Sequence, residues 1–307
     1  MVSRFELRDP SFRRVTLVVE LGTTCYPFES WEDNPPPTGE RWPADCDAFD
    51  RNFEISLDPL QGRYPPPPLE LVRAITPFGG PMTIEQEITD LANASPGVHW
   101  LQAHISTWSD GSGQVTGSNG GWLVSARIDV VPGPEPRPVL AVVPLYDGTL
   151  RSAPGPGPIS LTVPAGVARG FVEYRATGHG GGPRGAGCWG PADEFCRREH
   201  TFLVDGTEIE RQELVRDDCD EHCSLTHSGP DDGGFDYCLE NPCGAISSVK
   251  AARANWCPGS VTPPIVLESP TLAEAGDHTF EWTIDQIGEG GSWRVSATYY
   301  ALGPPML

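Results

Sequence analysis

Apolar side chains recur at every second position over many short stretches of the chain. Phe53, Ile55 and Leu57 alternate with Glu54, Ser56 and Asp58, and Phe280, Trp282 and Ile284 alternate with Glu281, Thr283 and Asp285. Trp293, Val295, Ala297 and Tyr299 repeat the pattern near the end. A two-residue period turns one face of a strand to a core and the other to water. The same reading predicts strands over 15–21, 69–76, 83–91, 100–108, 122–131, 140–146, 159–163, 170–176 and 201–209, the last turning at Asp205-Gly206. Helical signals are few, at 194–200 and 245–254. The stretch 131–138, reading VPGPEPRP, cannot continue a central strand because its prolines offer no ladder donors, so it reads as a linker. It divides the chain into an N-terminal domain of 1–133 and a C-terminal domain of 134–307 that carries a cysteine-rich insert. With about six or more strands on each side, the expectation is an all-β protein of two antiparallel sandwiches packed side by side.

Composition sharpens this picture. The 35 glycines and 33 prolines exclude a mainly helical fold, while nine tryptophans and a hydrophobic share of 38% exclude a disordered chain. The net charge of −21 repels phosphate backbones and anionic lipid, which sets aside nucleic-acid binding. No run approaches the roughly 18 apolar residues of a membrane helix. Nine cysteines in an acidic chain whose lone lysine is Lys250 fit an oxidising compartment. A secreted or periplasmic protein is therefore expected, its signal sequence removed or outside this chain. The odd count leaves at least one thiol unpaired or bonded to another chain.

Several familiar chemistries are missing. There is no G-x-S-x-G elbow or H-E-x-x-H helix, and Gly180, Gly182 and Gly185 match a dinucleotide fingerprint without the strand and helix that would give it meaning. Cys219, His222, Cys223 and His227 are spaced like zinc ligands, but disulfide pairing is the stronger reading in an exported chain. The aspartates at 217, 218, 220, 231, 232 and 236 lack the calcium-loop register and read as a solvated loop. No metal and no cofactor are expected.

Three segments carry more. Cys46-Asp47-Ala48-Phe49-Asp50-Arg51 leads into the strand at Phe53, so a bridged Cys46 would present Asp50 from a rigid strand mouth with Arg51 beside it. Thr177-Gly178-His179-Gly180 and Ala192 to His200 combine a glycine-rich loop, which lets backbone approach a ligand, with Glu194 on a stapled turn. Arg253-Ala254-Asn255-Trp256-Cys257-Pro258-Gly259 sets a guanidinium beside an indole. That pair suits a sugar's hydroxyls and apolar face, and equally suits a tryptophan packed in the core.

In this order, and with Arg73-Ala74-Ile75-Thr76-Pro77-Phe78-Gly79, Thr107-Trp108 and Ala141-Val142-Val143-Pro144, these segments resemble the peptide-N-glycosidase F family of bacterial amidases over about residues 15–302. The resemblance implies two eight-stranded antiparallel jelly rolls with the active site in the cleft between them. It implies hydrolysis of the amide joining N-acetylglucosamine to the asparagine side chain, leaving aspartate. N-glycosylated proteins or glycopeptides would be the partners, and a monomer is expected. Asp50 aligns with the family's principal catalytic aspartate and Glu194 with its second carboxylate. Arg51 and Arg253 match arginines lining the site, Trp108 and Trp256 match tryptophans that shape the sugar cleft, and His179 falls among the substrate-binding positions. By analogy Cys25 pairs with Cys46, Cys188 with Cys196 and Cys219 with Cys257. Cys223, Cys238 and Cys243 have no counterpart.

The chain also departs from the family. Ser106 stands where an acidic residue is expected; it can bond a sugar hydroxyl or Arg253 but brings no charge. Phe49 and Phe195 replace tryptophans. The inserts at 25–46 and 219–252 would form an extra rim beside the motif loops. A glycan-binding protein of the same fold, with catalysis weakened by Ser106, is the main alternative. A copper monooxygenase of similar plan is disfavoured by only seven histidines and no H-x-H pair.

Overall fold

The computed structural model describes residues 1–8, 11–57, 66–107, 117–118, 120–182, 185, 187–230 and 233–305. Its regular elements are almost entirely antiparallel strands. In the first half these are β1 (Val2–Leu7), β2 (Phe12–Gly22), β3 (Asn52–Leu57), β4 (Leu69–Ile75), β5 (Met82–Glu87), β6 (Gly97–Ile105) and β7 (Leu123–Pro132). The second half holds β8 (Val139–Leu150), β9 (Ile159–Val163), β10 (Arg169–Gly180), β11 (Arg198–Val204), β12 (Thr207–Leu214), β13 (Leu225–Ser228), β14 (Phe235–Cys238), β15 (Ser260–Val261), β16 (Ile265–Glu268), β17 (Gly276–Ile284) and β18 (Gly291–Leu302).

These strands build two sandwiches. One stacks a sheet of order β1-β6-β3-β4-β15 on a sheet of order β5-β2-β7; the other stacks β16-β10-β18-β8 on β12-β11-β17-β9. A β13-β14 hairpin stands apart from both. Each sandwich thus has eight strands and its own core. Phe12, Leu17, Phe53, Ile55 and Ile84 lie in the first, and Tyr174, Phe202, Phe280, Trp282 and Trp293 in the second. The first core is closed by β15, a strand from the second half that pairs Ser260 and Val261 with Ile75 and Ala74.

Alternation predicts burial where a strand has one wet face. Phe53, Ile55 and Leu57 are buried with their neighbours half-buried, as the two-residue period requires. In β4 and the later part of β18 the pattern vanishes because both faces are covered. The outer sides of these two strands meet across the seam between the sandwiches, where Arg73 donates to the carbonyl of Arg294 and Ser296 donates to Glu70.

Most expected bounds shift by a few residues, the span expected over 201–209 divides into β11 and β12, and four further differences have a clear physical reason. The strand expected over 83–91 ends at Glu87, and Thr89–Ala94 forms a helix, α1. Ile88, Leu91 and Ala92 recur at helical spacing and are buried over β2, whose Val15 amide donates to the Thr89 hydroxyl at 2.9 Å. The helix expected over 194–200 is a single 3-10 turn, Asp193–Phe195, after which the chain extends into β11 with Arg198, His200, Phe202 and Val204 buried in alternation. The helix expected over 245–254 is limited to Ile246–Val249, α2. Strand β7 runs on to Pro132, one residue into the proline-rich stretch, which it can do as the edge strand of its sheet. No described helix is long and apolar enough to cross a membrane.

Candidate active site

Asp50 sits at the mouth of β3, and the residues around it are fixed individually. The Cys25–Cys46 bridge anchors the segment. Asp47, wholly buried, accepts from the Phe49 amide and takes the Arg51 Nε at 3.1 Å on both carboxylate oxygens. The Arg51 amide donates to the Thr76 hydroxyl at 2.8 Å, and the Thr76 amide returns a bond to the Arg51 carbonyl at 2.9 Å. Thr76 belongs to the Arg73-to-Gly79 run that sequence reading singled out. Arg51 is therefore matched to Asp47, not to Asp50, and its guanidinium lies over the Phe49 ring at 5.3 Å. Burial pushes the Asp50 carboxyl up to about 6; the charge of Glu194 adds to the rise, while Arg253 and Arg51 oppose it.

Glu194 arrives from the other sandwich on the Asp193–Phe195 turn. Its neighbour Asp193 is buried and accepts from Arg198 Nη2 at 2.5 Å, the Gly288 amide at 3.1 Å and Trp293 Nε1 at 3.2 Å. The Cys188–Cys196 bridge closes the turn from behind. The glycine-rich loop passes close by: at Gly181, φ +116, a Cβ would come within 2.5 Å of the Asp193 nitrogen. Burial raises the Glu194 carboxyl, while the Arg253 charge and the nearby Gly180 backbone amide oppose the rise. The Glu194 carbonyl accepts from the Ala254 amide at 2.8 Å, tying this turn to the third motif.

Arg253 completes the group. It is 1% exposed, and its guanidinium lies between two rings, 4.1 Å from the Phe195 centroid and 5.1 Å from that of Trp256. Nη2 donates to the carbonyl and hydroxyl of Ser248 on α2, at 2.8 and 3.1 Å. Nε and Nη1 have no hydrogen-bond partner among the described residues. Burial pulls down the pKa of Arg253, and the charges of Asp50 and Glu194 hold it up. Two acids and an arginine from three distant segments thus share one electrostatic neighbourhood, and the arginine keeps two buried donors unspent.

The remaining candidate residues divide. Trp256, 3% exposed, donates its Nε1 to the Gly178 carbonyl at 2.7 Å and packs against Arg253 and His179, so it supports the guanidinium instead of offering an open face to a sugar. His179 is half-buried, bonds the Thr177 hydroxyl at 2.8 Å and is pushed down to about 3 by burial, so it is neutral. Ser106 is exposed just past β6 and donates its amide to the Asn52 carbonyl at 2.9 Å, at the Asp50 end of the sheet. Arg253 bonds Ser248, and no Ser106–Arg253 bond is found among the described residues. Trp108 lies outside the described residues. Asp47, Asp193 and Ser248 are the positioning groups that sequence reading missed. Asp47 alone left a trace, its four-residue spacing from Arg51.

Cysteines 25 and 46, 188 and 196, and 219 and 257 are bridged, as the family analogy implies. A fourth bridge joins Cys223 to Cys238, which accounts for the zinc-like spacing, and Cys243 is free. The two inserts meet through edge-to-face aromatic contacts, Phe28 with Phe235 at 5.5 Å and with Tyr237 at 5.1 Å.

Comparison with known proteins bears on the fold. The family model for the C-terminal domain of peptide-N-glycosidase F matches residues 151–300. A search of curated protein sequences gives no match. Among solved structures, PNGF-II is 19% identical with a TM-score of 0.69, covering 100% of this chain and 60% of its own. PNGase F of Flavobacterium meningosepticum, described as a glycosylasparaginase, is 18% identical with a TM-score of 0.69 and coverages of 99% and 89%. A peptide-N(4)-(N-acetyl-β-D-glucosaminyl)asparagine amidase is 17% identical with a TM-score of 0.67 and coverages of 100% and 91%. At these identities the structural likeness establishes the fold.

Proposed function

We propose, from the premise that this chain is peptide-N-glycosidase F-like in its C-terminal domain and in its whole fold, that it is an amidohydrolase of N-linked glycans. It would cleave the amide between N-acetylglucosamine and the asparagine side chain and leave aspartate in the peptide. One observation supports the reading: Asp50 and Glu194, from opposite sandwiches, each lie within charge-interaction range of the buried Arg253 and Asp50 within that of Glu194.

Amide hydrolysis needs an oxygen nucleophile at the carbonyl carbon and a proton on the departing nitrogen. Asp50, with its carboxyl near 6, is a carboxylate at neutral pH yet basic enough to take a proton from an attacking water and return it to the leaving glycosylamine. Arg253 supplies a fixed positive charge beside the two carboxylates; its Nε and Nη1 are closed off from solvent, so a substrate would have to displace the side chains that cover them to use them as donors. Glu194 holds the guanidinium by charge and keeps the Asp50 carboxyl high. The four disulfides agree with a protein that works in an oxidising compartment.

Incubation with a denatured N-glycoprotein tests the reading. Glycan release with conversion of asparagine to aspartate, abolished in Asp50→Asn, is the expected result; no release from any N-glycoprotein would reject it. The uncharged Ser106 favours one competitor, a glycan-binding protein of the same fold. That protein would retain glycopeptides on a column and release nothing.

A further inference from the structure

Cys25 and Cys46 bridge the two ends of the first insert, and Cys243, in the second, is the one cysteine without a bridge. The three sulfurs lie within 4.8 Å of one another. The contact is close-packed: Cys25 and Cys46 are wholly buried, and the Cys243 amide donates to the Phe78 carbonyl at 3.0 Å. At Gly79, φ +66, a Cβ would come within 2.5 Å of the Cys243 sulfur and 2.9 Å of the Cys25 Cβ. Only glycine at that position lets the third sulfur reach the bridge.

We propose that Cys243 is an internal exchange partner of the Cys25–Cys46 bridge, so that the protein interconverts between a bridge within the first insert and a bridge joining the two inserts. The Cys243 thiolate attacks one sulfur of the bridge. A new S–S bond forms, the Cys25–Cys46 bond breaks, and the displaced thiolate takes up the proton that Cys243 gave. Nothing is oxidised or reduced overall, so no external reagent is needed. Attack on Cys46 would tether the second insert to the segment that presents Asp50; attack on Cys25 would free Cys46 from its anchor. Burial pushes the Cys243 thiol up to about 12 against the pull of the Arg41 charge, which makes exchange slow at neutral pH. The rate should rise about tenfold per pH unit below that value.

The test holds the intact chain at about pH 7 and about pH 9, quenches with acid, and labels free thiols with N-ethylmaleimide in denaturant at mildly acid pH. Unreduced digests are then read by mass spectrometry. The expected result is label on Cys25 or Cys46 as well as Cys243, with a Cys243-containing bridged peptide more abundant at the higher pH and the other three bridges intact. Label confined to Cys243 at both pH values would overturn the proposal. So would scrambling that reaches Cys188–Cys196, because exchange would then belong to the unfolded chain. Cys243→Ser should show no label at Cys25 or Cys46, and label there would equally overturn it. The experiment needs no glycan and stands apart from the amidase assignment.

Discussion

The seam between the two sandwiches treats its arginines in two opposite ways. In its body each arginine is matched to carboxylates. Arg73 forks onto Glu70 at 2.8 and 2.7 Å and donates to two carbonyls, while Arg294 forks onto Glu54 at 2.8 and 2.7 Å and also reaches Asp147 at 2.8 Å. At the mouth, Arg253 is as deeply buried, yet Nε and Nη1 are unpartnered and the two acids beside it have carboxyls raised by burial. A matched pair fixes geometry, whereas an unmatched one stores a demand for hydrogen bonds that a ligand can meet. The same residue types therefore read as scaffold in one place and as site in the other.

Asp50→Asn should separate the two most sharply. Glycan release should fall by at least about a thousandfold in kcat/KM, measured with a labelled glycopeptide. Stability should move the other way. Because the folded carboxyl is raised to about 6 from an ordinary value near 3.9, its ionised form costs the fold. Its stabilising share is full below about pH 4 and lost as pH rises through about 6. The variant should then gain up to about 2–3 kcal/mol over wild type at pH 8, and nothing near pH 4, by urea unfolding. An arginine in the body should behave in reverse: Arg73→Met leaves Glu70 buried and uncompensated and should cost about 3–5 kcal/mol of stability in the same assay.

Arg253→Lys keeps a charge but loses the planar fork and its position between two rings. A loss of about a hundredfold in kcat/KM is expected, with a change in urea midpoint far smaller than that of Arg73→Met. The pH profile gives the smallest effect. Wild-type kcat/KM should fall about tenfold per pH unit below about 6, as Asp50 takes up its proton. In Glu194→Gln the residual activity should show its inflection at lower pH, because the like charge that raises Asp50 is gone. An inflection left at the same pH would show that burial alone sets it.

How far the sequence could be read follows from this division. Strands with one wet face, such as Phe53 to Leu57, were visible through alternation. Residues 69–76 also read as a strand from their run of apolar and β-branched residues, but nothing there showed that Glu70 and Arg73 would meet Arg175, Arg294 and Ser296 in a buried network. The short helix at Thr89 was hidden because Met82, Ile84 and Ile88 all fall on even positions and carry a strand-like period past the end of β5. Asp50, Glu194 and Arg253 were found as motif residues that the fold then gathered. Asp193 was not, since the groups that fix it include Gly288 and Trp293, nearly a hundred residues away. Trp256 looked like a sugar platform beside an arginine, and only packing reveals which ring face is covered. The pairing of Cys223 with Cys238 needed the hairpin β13-β14 that brings them together.

The two residues of β15 set the order in which the protein can be made. Ile75 and Ala74 wait for Ser260 and Val261, so during synthesis the first sandwich carries an unsealed edge until about 185 further residues have been made and have left the ribosome. A gene cut at the proline-rich connection would yield a leading fragment with that edge still open and prone to pair with a neighbour. Supplying the trailing fragment in trans should restore its solubility.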